Sequence, residues 1–509
     1  MGGWRHVLSA VPGDAQVLIG GEQVEGTGSA VDVVNPATEA VIASVRSATD
    51  ADVEAAVKAA RSSFRAWKNT PAPERGEKLH ALSDWIGEHT ESLAETLTRE
   101  GGKPLVENRD EMGWSSSCLD FYAEMGRIER GRIVPSGEAG QLNLVVKEPY
   151  GAVAAIVPWN YPILLLMWKL APALAAGNTV VVKPSPYTPL STLELAEGIA
   201  GIFPPGVVNV ITGEADTGRS LVANPDVALI AFTGSVETGK QVAHAAADRL
   251  AKVHLELGGK DAFIVCDDVD VELAARGAAW AAYLNSGQVC TSAERFYVLP
   301  QVYDDFVDAF VDQASGIVVG DPMEESTDMG PLVRAVQRDA VEAQLSSARA
   351  AGARILFGGE RPADTGFFLT PAVVVDVDDS MDVMSVETFG PVAPIAKVSS
   401  LEEAIQRTNE SPYGLGANVY TRRLDYMLAA MEEIEAGTVW FNDPLTDNEA
   451  APFGGFKSSG NGRELGVEGL DDFRQTKHIH IDSKLDAKAW WYPYADYARH
   501  QAEFGTAPG

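Results

Sequence analysis

The chain has 509 residues, of which 46% are hydrophobic and 22% are charged, with 48 Gly and 28 Pro. This length exceeds what one domain usually holds, and the composition is that of a globular protein, so a single small module, a disordered chain and a collagen-like chain are excluded. A formal net charge of −32, from 40 Lys and Arg against 72 Asp and Glu, would repel nucleic-acid phosphates and anionic lipid. Neither nucleic acid nor a membrane is an expected partner.

The cysteines and the apolar segments indicate the cellular compartment of the protein. Cys118, Cys266 and Cys290 form no CxxC pair, which argues against a zinc site or a disulfide framework and fits a reducing environment. The N-terminal segment has no apolar core of a signal peptide, and the longest apolar run, 161–176, is interrupted by Lys169 and two prolines. We expect a cytoplasmic protein without a metal ion.

The first third of the chain is predicted to be mainly helical. A glycine pair in VLIGGEQV, residues 17–24, predicts a β-hairpin. Apolar residues at helical spacing then predict helices over 49–65, 73–89 and 91–100.

Two later regions alternate β-rich runs with helical segments. The first, within 144–239, contains VAAIV, TVVVK, GVVNVIT and ALIAFTG; the second runs from DAFIVC at 261–266 to GTVWFND at 437–443. Strands that alternate with helices are typical of βαβ units. The sequence therefore predicts an α/β fold with two cores built on parallel sheets.

Three residues suggest chemistry by their surroundings. Cys290, in NSGQVCTSAERFYV, has small neighbours that leave room for a carbonyl to approach its thiol, although a lone cysteine is usually inert. Glu256, in LELGGKDAFIV, is flanked by leucines that should raise its pKa and make it a general base, unless it faces solvent at a strand end. Asn160, in PWNYP, follows a strand, where its amide can donate to an oxyanion.

These three motifs occur in one chain with KPSPYTP, FTGSVETG, ETFGPV and PFGGFKSSGNGRELG, in a fixed order. On these motifs the sequence resembles the aldehyde dehydrogenase superfamily over about residues 15–480. Seven separated motifs in order are far more specific than one cysteine or one glycine-rich loop. The resemblance implies a Rossmann-type cofactor domain (1–126 and 147–256), an α/β catalytic domain (257–458), a small β oligomerisation arm (127–146 and 474–484) and a C-terminal tail (485–509).

The resemblance also implies the catalytic roles. Cys290 matches the nucleophile that attacks the aldehyde, and Asn160 with the backbone N–H of Cys290 matches the oxyanion hole. Glu256 matches the base that activates water to hydrolyse the thioester to a carboxylic acid. Lys169 and Glu464 match a proposed proton relay, with ordinary surface or interface charges as the alternative.

The implied cofactor is NAD. Lys183 matches a residue that contacts the adenosine ribose, Gly234, Ser235 and Gly239 match a turn that approaches the pyrophosphate, and Glu387 and Phe389 match residues that hold the nicotinamide riboside. Trp159 lies near the cofactor in relatives, although packing alone would explain it. The remaining implied contacts are Val157, Ser185, Pro186, Gly213 and Leu257.

One position departs from the family pattern. Pro186, in KPSP, stands where members that prefer NAD commonly carry Glu, whose carboxylate accepts hydrogen bonds from the ribose hydroxyls. Without that negative charge a 2′-phosphate is not repelled, and Lys183 can pair with it. We expect NAD as the default and NADP to be tolerated.

The residues that match the aldehyde tunnel of relatives are Tyr161, Leu165, Trp168, Val289, Thr291 and Phe453. They are aromatic and aliphatic, without an arginine to clamp an acid, which favours uncharged or cationic aldehydes. Tyr161 and Trp168 could form part of a cage for a quaternary ammonium group, but Phe453 stands where betaine-aldehyde enzymes carry Trp. We expect broad aliphatic and aromatic aldehydes, with a betaine-aldehyde or aminoaldehyde dehydrogenase as the alternative.

Two further alternatives stay open at the level of the sequence. A coenzyme A-acylating enzyme often lacks the base at the position of Glu256, so the presence of Glu256 counts against it. A catalytically silent paralogue is disfavoured by the intact Cys290, Asn160 and Lys183. The arm implies a homodimer or homotetramer, the aromatic run WWYPYADY is expected to pack on a neighbouring subunit or its own, and Cys118 and Cys266 are interpreted as structural.

Overall fold

The computed structural model describes residues 16–128, 131–488, 490–495, 498–499 and 502. Of the N-terminal segment considered for targeting, residues 1–16, all but Gln16 lies outside the described residues, as does part of the tail. An eight-stranded and a seven-stranded sheet, flanked by helices, form two α/β cores, and a three-stranded and a two-stranded sheet complete the fold. The predicted α/β class with a Rossmann-type domain is confirmed.

The strands are β1 (Gln16–Ile19), β2 (Glu22–Glu25), β3 (Ala30–Val34), β4 (Val41–Arg46), β5 (Gly131–Val134), β6 (Gln141–Pro149), β7 (Ala152–Ile156), β8 (Thr179–Lys183), β9 (Val208–Val210), β10 (Val227–Thr233), β11 (Lys252–Glu256), β12 (Asp261–Val265), β13 (Ala293–Val298), β14 (Arg354–Phe357), β15 (Ala372–Val375), β16 (Val392–Lys397), β17 (Gly416–Tyr420), β18 (Thr438–Phe441), β19 (Gly460–Asn461) and β20 (Arg474–Asp482).

The α-helices are α1 (Asp50–Asn69), α2 (Ala72–Glu88), α3 (Thr90–Gly101), α4 (Leu105–Met125), α5 (Pro162–Ala176), α6 (Leu190–Ile202), α7 (Ala215–Ala223), α8 (Val236–Ala247), α9 (Val271–Tyr283), α10 (Tyr303–Gly316), α11 (Ala335–Ala350), α12 (Asp382–Ser385), α13 (Leu401–Asn409), α14 (Leu424–Glu433) and α15 (Gly466–Asp472). Short 3₁₀ turns occupy Leu284–Gly287 and Lys457–Ser459. Within the described residues, none of these helices combines the length and the apolarity needed to cross a membrane.

The predicted hairpin and the three early helices are confirmed by β1, β2 and α1 to α3. Helix α1 begins where the sequence places an acidic start, since Thr49 and Asp52 form a capping box: the Thr49 hydroxyl accepts from the Asp52 N–H, and the Asp52 carboxylate accepts from the Thr49 N–H. This arrangement satisfies two backbone donors at the helix start.

The eight-stranded sheet has the order β19-β11-β10-β7-β8-β9-β1-β2, with β11 to β9 parallel. All residues of β7 and β8 are buried, which explains their continuous apolar runs, because a parallel sheet is covered on both faces. The chain runs outwards from β7 to β9 and then returns to β10 on the other side. The order therefore reverses between β7 and β10, where such sheets bind ligands at the carboxyl ends of the strands.

The seven-stranded sheet has the order β14-β15-β16-β13-β12-β17-β18, and all pairs except β14–β15 are parallel. Residues 257–260 alone join β11 of the first sheet to β12 of the second. The chain then returns to the first sheet, because β19 pairs with β11. Sequence reasoning assigned residues 459–473 to no domain. The pairing of β19 with β11 places the first residues of this segment in the first sheet.

The three-stranded sheet has the order β20-β6-β5. Strand β6 extends to Pro149, three residues beyond the limit expected for the arm, because its register with β20 continues to the pair Arg474 and Pro149. In the described part of the tail, Trp490, Trp491 and Tyr492 are 49%, 54% and 81% exposed, so the two tryptophans are half-covered by their own subunit.

Candidate active site

A cavity of about 220 Å³ lies beside Cys290. All six residues predicted for the substrate line it, together with Cys290 and Asn160. Sequence reasoning missed the remaining wall residues, because most of them come from segments that carry no motif. These are Trp114, Ser117, Cys118, Leu164, Trp280, Leu284, Leu445, Thr446, Asp447, Glu449 and Leu465.

Asn160 lies in the turn between β7 and α5, at the carboxyl end of a central strand as predicted. It is 5% exposed, and its amide donates to the Gln288 carbonyl at 3.1 Å. A side-chain amide carries two hydrogens, so one is left for a second acceptor. Asn160 is thereby fixed to the turn that precedes Cys290.

A buried ionic network from α4 and the turn before it holds the Asn160 loop. The Lys103 ammonium pairs with the Glu111 carboxylate and donates to the Asn160 carbonyl at 3.1 Å. Glu111 also accepts from the N–H groups of Ile163 and Leu164, at 2.9 and 3.0 Å, which caps the start of α5. Sequence reasoning missed this network, although the GKP turn of Lys103 was visible.

A second carboxylate of α4, that of Glu107, supports the turn that precedes Cys290. Glu107 accepts from the Asn285 N–H at 3.1 Å, and burial raises the pKa of Glu107 to about 8. Asn285 and Ser286 have φ of 48° and 58°, left-handed values that non-glycine residues seldom adopt. The turn before the candidate nucleophile is therefore held in an unusual backbone conformation by tertiary contacts.

Cys290 is half-buried in the cavity wall, after the 3₁₀ turn and before β13. Burial, and next the carboxylates of Asp261, Asp447 and Glu256, raise the pKa of its thiol well above the ordinary value. The resting residue is therefore a neutral thiol, and a base has to take its proton when it reacts.

Glu256 is the last residue of β11 and is 2% exposed. Neither oxygen of its carboxylate has a hydrogen-bond partner among the described residues. Burial, and next the charge of Glu464, raise the pKa of Glu256 well above its ordinary value, and Lys169 opposes this. Glu256 is buried, so the solvent-facing alternative is wrong, and burial shifts its pKa in the predicted direction.

Lys169 and Glu464 form an ion pair, and both side chains are fully buried. The Lys169 ammonium also donates to the Thr233 hydroxyl at 2.5 Å, and the backbone of Glu464 exchanges two hydrogen bonds with Phe453. The alternative of ordinary surface charges is wrong within this subunit. His254, which sequence reasoning missed, places Nε2 3.8 Å from Glu256.

The residues predicted for the cofactor follow the carboxyl ends of the parallel strands in the first sheet. Val157 follows β7, Lys183 ends β8, Gly213 follows β9, Gly234 follows β10 and Leu257 follows β11. Trp159 lies in the turn of Asn160, and Ser185 and Pro186 follow Lys183 after Pro184. Ser235 caps α8 by accepting from the Thr238 N–H.

Two features of this edge of the first sheet suit the binding of a dinucleotide. A side chain at Gly239 would come within 2.5 Å of Leu257, so glycine lets the first turn of α8 approach the strand ends closely. Lys183 is 5% exposed, its ammonium donates to the Pro184 carbonyl, and it has no ion pair with a described residue. Burial lowers the pKa of Lys183 to about 8, so an anionic or polyhydroxyl ligand would satisfy its donors.

The loop of Glu387 and Phe389 is held by a third buried ion pair, Lys260 with Glu294. The Lys260 ammonium donates to Glu294 at 2.7 Å, and Glu294 accepts from the N–H groups of Thr388 and Phe389. The Glu387 carboxylate accepts from the Gly259 N–H at 3.0 Å, and burial raises its pKa to about 8. Sequence reasoning missed Lys260 and Glu294, although both lie inside quoted motifs.

The rings of Phe389 and Trp159 meet edge to face at 5.3 Å. The loop before β16 of the second sheet thus contacts the turn that carries Asn160, beside the carboxyl end of β7 in the first sheet. Within the described residues, no group of three or more His, Cys, Asp or Glu side chains is arranged to hold a metal ion.

Comparison with known proteins agrees with this arrangement. Residues 23–479 match the model of the Aldehyde dehydrogenase family. The chain belongs to the aldehyde dehydrogenase family. It is 40% identical to the mitochondrial aldehyde dehydrogenase of Leishmania tarentolae over 93% of this chain and 96% of that protein. It is 38% identical to the NADP(+) succinate-semialdehyde dehydrogenase of Escherichia coli, over 92% and 97%.

The solved structures similar to this aldehyde dehydrogenase include betaine aldehyde dehydrogenase of Staphylococcus aureus in complex with NAD+. That structure has a TM-score of 0.93 and 36% identity, and the match covers 95% of this chain and 98% of that one. A putative aldehyde dehydrogenase of Burkholderia cenocepacia gives 0.92 and 38%, over 94% and 99%. The predicted family and its fold are confirmed over nearly the whole described chain.

Proposed function

We propose that this aldehyde dehydrogenase oxidises an aldehyde to a carboxylic acid with NAD or NADP, through a thiohemiacetal and a thioester on Cys290. The observation that carries the proposal is the placement of Cys290 and Asn160 in the wall of one apolar cavity, with Glu256 buried nearby. A nucleophile, a hydrogen-bond donor and a base are the groups that this reaction needs.

Acylation begins when the Cys290 sulfur attacks the aldehyde carbon and its proton leaves to a base. The carbonyl oxygen becomes an alkoxide, which accepts from the free hydrogen of the Asn160 amide and from the Cys290 N–H. The Asn160 donor is fixed before the substrate arrives, because its amide donates to the Gln288 carbonyl and its backbone carbonyl accepts from Lys103. Preorganised donors lower the barrier because they need no reorganisation as charge develops.

The nicotinamide cofactor, when bound, accepts the hydride that the alkoxide expels. The thioester left on Cys290 is then hydrolysed. Glu256 takes a proton from water as the oxygen attacks the thioester carbon, and the C–S bond breaks to release the acid and the thiol. A carboxylate with a raised pKa is a stronger base than an exposed glutamate, so burial of Glu256 serves this step. We infer that Lys169 and Glu464 carry the proton away.

The cofactor proposed is NAD, with NADP tolerated. The fit rests on the buried Lys183 without an ion pair and on the N-terminus of α8, a helix of 12 residues whose positive end suits a pyrophosphate. Pro186 lies beside Gly213 in a small cleft, with no carboxylate of its own to repel a 2′-phosphate. Val157, Leu257, Glu387 and Phe389 would hold the nicotinamide half.

Broad aliphatic and aromatic aldehydes are the substrates that the apolar cavity wall supports. The intact Glu256 favours hydrolysis over transfer to coenzyme A, and the network around Cys290 favours an active enzyme over a silent paralogue.

We also propose a cytoplasmic location, which the unpaired Cys118, Cys266 and Cys290 support. A homodimer or homotetramer is supported by the exposed edges of the three-stranded sheet.

The test is the absorbance of reduced nicotinamide with purified protein, NAD or NADP, and a panel of aliphatic, aromatic and charged aldehydes. We expect turnover in the wild type and its loss in Cys290→Ser, with Cys266→Ser as the matched control that stays active. Cys266 lies outside the cavity wall, at the end of β12. Absence of turnover with every pair, or turnover that needs coenzyme A, would contradict the proposal.

The same assay tests the role of Pro186. We expect Pro186→Glu to lower kcat/KM for NADP relative to NAD, because the new carboxylate repels the 2′-phosphate. A wild type that excludes NADP as strongly as Pro186→Glu does would overturn this expectation.

A further inference from the structure

A fully buried imidazole lies beside the proposed base. His254 is on β11, two residues before Glu256, so both side chains point to the same face of the strand. The residue is 0% exposed, and neither ring nitrogen has a hydrogen-bond partner among the described residues. A neutral imidazole carries one N–H donor and one acceptor nitrogen, and burial of both without partners costs free energy. The ring can therefore still give one hydrogen bond and accept another.

Each nitrogen of this ring faces a carboxylate. Nε2 of His254 lies 3.8 Å from an oxygen of Glu256, and Nδ1 lies 3.9 Å from an oxygen of Asp472. Both distances exceed the length of a hydrogen bond by less than about 1 Å. Catalytic hydrogen bonds are often long before the substrate binds and shorten in the complex. The imidazole thus stands between the proposed base and a second carboxylate.

Asp472, the last residue of α15, is held in place facing the ring. Its carboxylate accepts from the Arg463 N–H at 2.6 Å and from the Lys252 ammonium at 3.4 Å. A Cβ at Gly462 would come within 2.7 Å of the Asp472 carboxylate and 2.9 Å of the His254 ring, so glycine lets these two groups approach each other. The position of Asp472 is therefore that of a group that accepts from Nδ1 of the imidazole.

Burial opposes a charge on the imidazole and on Glu256 taken separately. It lowers the pKa of His254 and raises the pKa of Glu256. Transfer of the Glu256 proton to the ring creates both charges together, and each then stabilises the other. An aspartate at Nδ1 stabilises an imidazolium that takes a proton on Nε2. The charged groups around this pair are Lys252 on β11, Asp472 on α15, Lys169 on α5, and Arg463 and Glu464 before α15.

We propose that His254 is a positioning residue that holds the proton of Glu256 while Glu256 acts on water, with Asp472 stabilising the protonated ring. The proposal rests on the proposed role of Glu256 as the base and names the group that frees its carboxylate. The Lys169 ammonium does not take this proton, because it has no free electron pair and already donates to Glu464 and Thr233.

The proton transfers balance over one turnover. The O–H bond of the neutral Glu256 carboxyl breaks and an N–H bond forms at Nε2 of His254, which leaves a carboxylate beside an imidazolium. The carboxylate takes a proton from the water that attacks the thioester carbon, and this proton leaves through Lys169 and Glu464. As the C–S bond breaks, the proton on Nε2 returns through Glu256 to the sulfur of Cys290. Glu256 regains its proton when the thiol next ionises.

The test follows the hydrolysis step alone. Limiting butanal is mixed with the enzyme and excess NAD, so that each Cys290 reacts at most once, and the intact mass of the quenched protein measures the decay of the thioester across pH. The absorbance of reduced nicotinamide measures the preceding burst. The variants are His254→Gln, which keeps hydrogen-bonding atoms without a titratable ring, and Asp472→Asn. His244→Gln, on the exposed side of the last turn of α8, is the matched control.

The thioester of the wild type should decay faster as pH rises and Glu256 ionises. Without the imidazole, Glu256 keeps its own proton to a higher pH. We therefore expect His254→Gln to shift this rise upwards by about one pH unit, a decay about tenfold slower at a given pH on the rise, with an unchanged burst. Asp472→Asn should shift the rise in the same direction by less, and His244→Gln should match the wild type.

A rise that stays in place in His254→Gln or in Asp472→Asn overturns the proposal. Equal slowing of the burst and of the decay at every pH also overturns it, because the ring is then needed for the structure alone. Glu256→Gln separates this proposal from the proposed function. If Glu256→Gln accumulates the thioester while His254→Gln matches the wild type, Glu256 stands as the base and only the role of His254 is refuted. Full hydrolysis in Glu256→Gln refutes the role of Glu256 itself.

Discussion

At the scale of single residues, the proposed chemistry depends on carboxylates and a histidine that are buried without full hydrogen bonding. Both oxygens of Glu256, both ring nitrogens of His254 and one oxygen of Glu464 lack hydrogen-bond partners in the described structure. Buried polar groups are seldom left unpaired, because each costs the free energy of its lost hydration. Such a cluster beside a nucleophile is typical of a site that moves protons, since a group with a perturbed pKa changes its protonation state readily.

A first prediction concerns the base. Hydrolysis of the thioester needs ionised Glu256, and its pKa is raised, so the hydrolysis rate should increase with pH well above the range in which an exposed glutamate titrates. Glu256→Gln should still form the thioester but accumulate it, with a burst of reduced nicotinamide and no steady turnover.

Stopped-flow absorbance across pH and the intact mass of the acylated protein measure both effects. Glu88→Gln, an exposed residue of α2, is the control and should keep the wild-type profile. A hydrolysis rate independent of pH, or full steady turnover in Glu256→Gln, would show that another group is the base.

At the scale of elements, α4 positions the site without contributing a reacting atom. Its carboxylates hold the start of α5 on one side and the turn of Asn285 on the other. The pair Lys103 and Glu111 is fully enclosed, and removal of one member leaves the other charge buried alone. Asn160, the proposed oxyanion donor, is therefore coupled to Lys103, 57 residues earlier in the chain.

We predict that Glu111→Gln destabilises the protein by about 3–5 kcal/mol, the usual cost of breaking a buried ion pair. It should also lower kcat by about 10²-fold or more, as for loss of an oxyanion donor, while KM changes less. Denaturant unfolding and steady-state kinetics measure these effects.

Asp110→Asn, on the solvent side of the same helix, is the matched control and should change neither quantity. A Glu111→Gln protein that unfolds earlier but keeps its kcat would assign the network to stability alone.

At the scale of the whole molecule, the site exists because two sheets meet. Residues 257–260 pass directly from the end of β11 to the start of β12, so Glu256 is the last residue of its strand in the first sheet. The Glu387 side chain, from a loop of the second sheet, accepts a hydrogen bond from the Gly259 N–H in this connection. The three-stranded sheet stands apart from both, and its outer strands β5 and β20 carry the exposed Ile133 and Ile481, 72% and 45% exposed. Exposed edges of this kind invite pairing with another chain.

We predict that the wild type forms a dimer or tetramer through this sheet and that Ile133→Asp combined with Ile481→Asp lowers its mass in solution. Light scattering after size exclusion measures the mass. Leu424→Asp, which places the same charge on an exposed leucine of α14, should leave the assembly intact. A monomeric wild type, or a double variant of unchanged mass, would contradict the expected role of the arm.

The sequence by itself determined the α/β class, the family and the motifs of the site, because periodic apolar runs and short ordered motifs are local properties of the chain. Tertiary structure alone decided which charges are buried. Lys103, Glu111, Lys260, Glu294 and His254 carry no signal of burial in their own neighbourhoods, and Lys169 and Glu464 were equally compatible with the surface. Their pKa values and partners depend on contacts between segments far apart in the chain, and only the packed fold brings those segments together.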